Sequence, residues 1–145
     1  MKLEGSYLFD APPERVWALM LNPDSLKGCV PGCEKLEPTG DDTYTATMKV
    51  GVAAIRGTYN GKISIADKNE PNSYTLNVEG SGGPGFVRGA AKILLAPEEG
   101  KTRVTVDADG QVGGTVAGVG QRMIGGVAKM LMNQFFDCMG KQLNQ

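Results

Sequence analysis

Residues 116–142 read VAGVGQRMIGGVAKMLMNQFFDCMGKQ. Val116, Val119, Met123, Val127, Met130, Leu131, Phe135 and Cys138 recur there at three- and four-residue steps. That spacing predicts one apolar stripe along a helix about 40 Å long. The same stretch holds Gly118, Gly120, Gly125, Gly126 and Gly140. Each interior glycine costs roughly 0.8–1 kcal/mol relative to alanine, so the helix is expected to be kinked, closely approached or mobile in its N-terminal half.

The rest of the chain supplies a surface for this stripe to cover. Tyr44, Ala46, Met48 and Val50 alternate with Thr45, Thr47 and Lys49. Tyr59, Gly61, Ile63 and Ile65 alternate with polar residues in the same way, as do Tyr74, Leu76 and Val78, and Val104, Val106, Ala108 and Val112. A period of two predicts strands with one apolar face. Lys35–Glu37 is a further short strand, and 87–95 a less regular one. Turn-forming runs separate them: Gly40-Asp41-Asp42, Asn69-Glu70-Pro71-Asn72 and Pro97-Glu98-Glu99-Gly100. Links this short favour antiparallel neighbours.

At the N-terminus, Leu3, Gly5, Tyr7 and Phe9 alternate with Glu4, Ser6 and Leu8, the pattern of an edge strand. A helix follows to Met20, with Asp10 or Ala11 as its cap and proline in its first turn. Asn22-Pro23 ends it, and Asp24–Lys27 forms a second short helix stopped by Gly28. The order strand, two helices, six strands, long helix predicts a single α+β domain over 1–145, a curved antiparallel sheet wrapped around its last helix.

Composition narrows the function. The net charge is -1, with no basic excess for a nucleic-acid partner. Apolar runs are only a few residues long, against about 20 for a spanning helix. The N-terminus lacks the apolar core of a secretory signal, so the expected location is the cytoplasm. There is no histidine. This excludes Ser-His and Cys-His nucleophile pairs and His-ligated zinc. Cys29, Cys33 and Cys138 are too few for an all-cysteine metal site and read as small buried hydrophobes. No metal, cofactor or catalytic residue is expected.

The inward set is Met48, Val50, Tyr59, Ile63, Leu76, Val78 and Val104, facing Met123, Val127, Met130 and Leu131. A packed core explains such a set, and so does a pocket for an apolar ligand. Flexible methionines on the last helix and glycines on the flanking elements favour the pocket. The run Gly80-Ser81-Gly82-Gly83-Pro84-Gly85-Phe86 lacks the lysine of a phosphate loop and leads into no helix. It reads as a strand connection, with Phe86 as a gate. Asp107 and Asp109 share the polar face of their strand and read as solvated. Arg56, Arg88 and Arg122 are by default surface residues.

Several stretches together resemble the carbon monoxide dehydrogenase G-subunit family of the START-like, helix-grip (SRPBCC) superfamily. They are Ala11-Pro12-Pro13-Glu14-Arg15-Val16-Trp17, Val30-Pro31-Gly32-Cys33-Glu34, Tyr59-Asn60-Gly61-Lys62, the 80–86 run, 113–120 and Phe135-Phe136. The resemblance implies a seven-stranded sheet gripping the long helix, two short helices after the first strand, and a deep apolar cavity. It further implies an accessory role toward a molybdenum-containing carbon monoxide dehydrogenase or related hydroxylase. Such a role brings transient contact with the inner face of the membrane or its quinone pool. The implied ligand is a lipid or quinone. Longer members carry a C-terminal extension for membrane attachment. This sequence stops at Gln145, so autonomous anchoring is not carried over. A cyclase or dehydratase acting on polyketide-like substrates, and a ligand-free assembly factor, are the competing expectations.

Overall fold

A computed structural model of the chain describes residues 1–51, 56–83 and 85–143. The elements run β1 (Lys2–Phe9), α1 (Pro13–Met20), α2 (Pro23–Cys29), β2 (Cys33–Gly40), β3 (Thr43–Val50), β4 (Gly57–Asn69), β5 (Ser73–Gly82), β6 (Gly85–Glu98), β7 (Lys101–Gly113), a 3₁₀ turn (Gly114–Val119) and α3 (Gln121–Leu143). The seven strands form one antiparallel sheet in the order β1-β7-β6-β5-β4-β3-β2. The α+β sheet-and-helix architecture is therefore as expected from the alternation. β2 and β6 are longer than their patterns suggested.

Local chemistry differs from expectation at three places. Neither Asp10 nor Ala11 caps α1: Pro12 occupies the cap position in extended geometry, with no side-chain bond. Pro13, the first helical residue, has no N–H, so one of the orphan donors of the helix start is absent. Asn22 does more than end α1, because its side chain accepts from the Asp24 and Ser25 amides at 2.9 and 3.3 Å and starts α2. Gly28 lies inside α2 and does not stop it.

The predicted single helix from Val116 is in fact a 3₁₀ turn and then α3, separated at Gly120. Gly120 takes φ +101°, a backbone region that only glycine adopts without strain. The side chains of Val116 and Val119, and Pro84, lie outside the described residues.

Sheet topology gives the molecule two distinct ends. The strand ends at Val50 and Gly57, at Gly82 and Gly85, and at Gly113 lie together at the end where α3 starts. The connections 41–42, 70–72 and 99–100 lie at the other end, with α1. The core occupies the α1 half. Val16, Trp17 and Met20 of α1 meet Tyr44, Ile65, Tyr74, Ile93, Leu95, Val104 and Val106 of the sheet and Phe136, Met139 and Leu143 of α3. Trp17 meets Tyr74 edge-on at 5.4 Å, and Phe136 stacks on Tyr7 at 4.2 Å.

α3 runs alongside β1, with Tyr7 donating to Asn133 Oδ1 at 2.6 Å and Lys129 donating to the Glu4 carbonyl. At its C-terminus Arg15 donates to the Leu143 carbonyl at 2.7 Å, which answers both an orphan carbonyl and the negative end of the helix dipole. The cysteines are not all free hydrophobes as read from sequence. Cys29 and Cys138 form a disulfide between α2 and α3, and Cys33 alone is a free thiol.

Candidate functional site

The inner face of the sheet is divided. Its α1 half is the packed core. Its other half carries Met48, Val50, Tyr59, Val78, Val87 and Val112 at inward positions, none of them in the core cluster. Interspersed at the same inward register stand Gly61, Gly80, Gly82, Gly89 and Gly110. A sheet face built this way has apolar side chains around places where no side chain fills the space.

Close approach explains two of these glycines. A Cβ on Gly61 would lie 2.8 Å from the Glu79 carbonyl oxygen, and one on Gly82 would lie 2.3 Å from that of Thr58. The sheet curls there more tightly than a side chain permits. The facing part of α3 contributes Ile124, which is buried, with Val127 and Leu131 half-buried.

Of the residues read as ligand-facing, Met48, Val50, Val78, Val127 and Leu131 are half-buried, and Tyr59 is buried. Ile63 and Leu76 pack against the core, closer to the α1 half. Val104 is wholly buried in it. Three of the expected residues are not brought to this face. Met123 and Met130 are 54% and 41% exposed. They lie one heptad apart on the side of α3 opposite the buried Ile124, Phe136 and Met139. A stripe read by three- and four-residue steps wanders around a helix of 3.6 residues per turn, and it captured these two in error. Phe86 points to the outer face of the sheet, where its ring lies over Gly113. Val87, its neighbour, takes the inward position. The irregular pattern of 87–95 concealed that parity.

Open surface depressions lie elsewhere. One of about 710 Å³ runs over the polar outer face between Lys62, Glu79, Arg88 and Asp109. Another, of about 750 Å³, follows β1 and α3 past Tyr7, Asn133 and Lys141. Asp109 is solvated, as expected, and pairs with the N-terminal amine at 3.5 Å.

Burial raises the phenols of Tyr7 and Tyr59 above their ordinary range, and that of Tyr74 far above it. All three therefore stay protonated and are poor bases. Burial also pushes the Cys33 thiol up, against the opposing pull of Lys27, which lowers its nucleophilicity at neutral pH. Among the described residues no cluster of His, Cys, Asp or Glu could hold a metal ion, and no helix is long and apolar enough to cross a membrane.

A curled seven-stranded sheet around a long C-terminal helix, with two short helices after the first strand, defines a START-like, helix-grip protein. A START superfamily protein from Mycobacterium smegmatis shares this fold at 12% identity, with a TM-score of 0.77 over 99% of this chain and 97% of that one. The chain belongs to the carbon monoxide dehydrogenase G-subunit (CoxG) family, whose model matches residues 5–144. A conserved protein from Geobacillus kaustophilus is 39% identical, with a TM-score of 0.96 over 99% of this chain and 95% of that one. A protein from Thermus thermophilus is similar in fold alone, at 14% identity and a TM-score of 0.72 over 97% and 95% of the two chains. No protein of curated function matches the chain.

Proposed function

We propose that this chain is a non-catalytic accessory protein that holds an apolar, lipid- or quinone-like molecule against the inner face of its sheet, in the service of a carbon monoxide dehydrogenase-type molybdenum enzyme. The observation that carries this reading is the half of the inner face left out of the core. There Met48, Val50, Val78, Val127 and Leu131 keep part of their apolar surface accessible around a set of inward glycines. Covering such surface yields about 25 cal/mol per Å² removed from water, before the costs of association are subtracted. The family supports the accessory role.

An enzyme reading needs a titratable group poised near neutrality beside the ligand. The tyrosines whose titration is displaced move the other way, toward permanent protonation.

Native mass spectrometry of freshly purified protein, followed by organic extraction, tests the proposal. A stoichiometric quinone or lipid is the expected result. A clean apo mass that stays unchanged after incubation with quinones and fatty acids would overturn it.

A further inference from the structure

β1 forms one edge of the sheet, with β7 as its partner strand. Its backbone parity is fixed by the first pair. Met1 and Gly110 exchange both hydrogen bonds, at 2.9 and 2.8 Å. In an antiparallel ladder such pairs recur at every second residue. Leu3, Gly5, Tyr7 and Phe9 therefore direct their N–H and C=O groups to β7. Lys2, Glu4, Ser6 and Leu8 turn theirs to the open edge. Lys129 agrees with this parity, because it donates to the Glu4 carbonyl. Among the described residues, nothing bonds to the backbone of Ser6 or Leu8.

α3 runs beneath the same strand from Glu4 to Phe9. Met132 comes up under Gly5, Phe136 stacks on Tyr7 at 4.2 Å, and Gly140 lies against Phe9. Strand edge and helix thus form the two walls of a depression of about 750 Å³. Tyr7 and Phe136 give it an apolar floor, and the exposed Leu8 stands on its strand side. Its far end is acidic. Asp10 has no ion-pair partner among the described residues, and Asp137 is answered only by Lys141, in an exposed pair at 3.4 Å.

A free strand edge facing a helix suits an extended peptide, which adds to the sheet as one more strand. A second copy of the chain fits poorly. Two β1 edges paired about 4.8 Å apart would hold the helices beneath them close to that spacing, and packed helices need about 8–10 Å. We infer that the groove between β1 and α3 docks an extended protein segment. Its backbone pairs with Ser6 and Leu8, its inward side chains are apolar, and a basic residue meets Asp10 and Asp137. The inference goes beyond the cargo reading and does not rest on it.

The test uses capped, fluorescein-labelled heptapeptides of alternating valine and threonine, ending in two arginines or two glutamates. Fluorescence polarisation with the full chain should show the arginine peptide binding at least about tenfold tighter than the glutamate one. Methylating its amide nitrogens along one edge should abolish binding, and along the other edge should not. Ser6→Pro removes one outward donor and leaves the β7 ladder intact, since proline is tolerated on edge strands. It should weaken binding at least about tenfold, as should Asp137→Lys. Glu79→Lys, on the outer face of β5, should leave binding unchanged. Hydrogen exchange needs no variant: the Ser6 and Leu8 amides should slow when the arginine peptide is added, and those of Gly5 and Tyr7, already paired with β7, far less. No binding of the arginine peptide, equal binding of both methylated forms, or unchanged Ser6 and Leu8 amides would overturn the inference. So would a dimer that Ser6→Pro dissociates, because the edge would then belong to a second copy. These outcomes are the same whether or not cargo is extracted, so the two readings fail separately.

Discussion

Cys138, near the end of α3, is bonded to Cys29, the last residue of α2, across 109 residues of sequence. The bond ties the long helix to the short one that leads into β2. A cross-link closing a loop this long restricts the unfolded chain far more than the folded one. Reduction, or the double replacement of both cysteines by serine, is expected to lower stability by about 2–4 kcal/mol. Urea denaturation with and without reductant measures it. The serine pair should abolish the effect of reductant.

Glycine-to-alanine replacements should take opposite signs at two positions. At Gly82 the added Cβ would meet the Thr58 carbonyl oxygen at 2.3 Å, a backbone atom that cannot swing aside. Gly82→Ala is expected to cost about 2–3 kcal/mol, within the range for overpacked sites. Gly126 is exposed in the interior of α3, with nothing within 4 Å of its would-be Cβ. Gly126→Ala is expected to stabilise by about 0.5–1 kcal/mol. Thermal midpoints of the two variants check both directions.

Thr102 is fully buried, and its hydroxyl donates to the Ala11 carbonyl at 2.7 Å. This bond fixes the chain between β1 and α1 against β7. Thr102→Val keeps the shape but leaves the carbonyl without that donor, at an expected cost of about 1–3 kcal/mol. Thr102→Ser should recover the hydrogen bond and lose only the packing of one methyl group. Chemical denaturation of the pair separates the two contributions.

The strands and the division into an apolar and a polar sheet face could be read from alternation, because a period of two fixes which face each side chain takes; that β1 pairs with β7 could not. Tyr44, Tyr59, Tyr74 and Val104 are all inward and buried. The helix face was less legible. Met123 and Met130 satisfy the heptad spacing, yet the buried stripe of α3 centres on Ile124, Phe136 and Met139. The disulfide was invisible because Cys29 and Cys138 are brought together only by the tertiary path of α2 and α3. Two kinds of information decide which part of the apolar face is core and which is left open. One is where α1 lies; the other is which inward positions are glycine. Only the second is written in local sequence.

Alkaline conditions should expose the burial of Tyr74. Its phenol is held protonated in the fold well above the ordinary tyrosine value near 10, because burial disfavours the phenolate. The unfolded chain releases that proton at the ordinary value, so the contribution to stability is complete below about pH 10 and falls as pH rises beyond it. The decline amounts to about 1.4 kcal/mol per pH unit for one such group until the folded value is reached. Tyr7 and Tyr59 shift in the same direction and add to it. Tyr74→Phe keeps the edge-on contact with Trp17 and should flatten, without abolishing, the loss of stability between neutral and strongly alkaline pH. Stability measured by urea at a series of pH values gives the slopes.

Val78 stands on the inner face opposite Gly89, half-buried and outside the core cluster, at the centre of the proposed lining. Asp109, two strands away, is on the outer face and solvated. A carboxylate introduced at Val78 would have to shed water wherever an apolar ligand covered it. Val78→Asp is therefore expected to retain the fold, since the site is half-open, and to reduce bound quinone or lipid by at least about tenfold, the equivalent of about 1.4 kcal/mol. Asp109→Asn, which touches only the outer face and the N-terminal amine, should leave the bound amount as it is. Quantified organic extracts from equal masses of the two folded variants decide the matter. Equal loss in both would move the ligand off the inner face, whereas undiminished loading of Val78→Asp would place it away from β5.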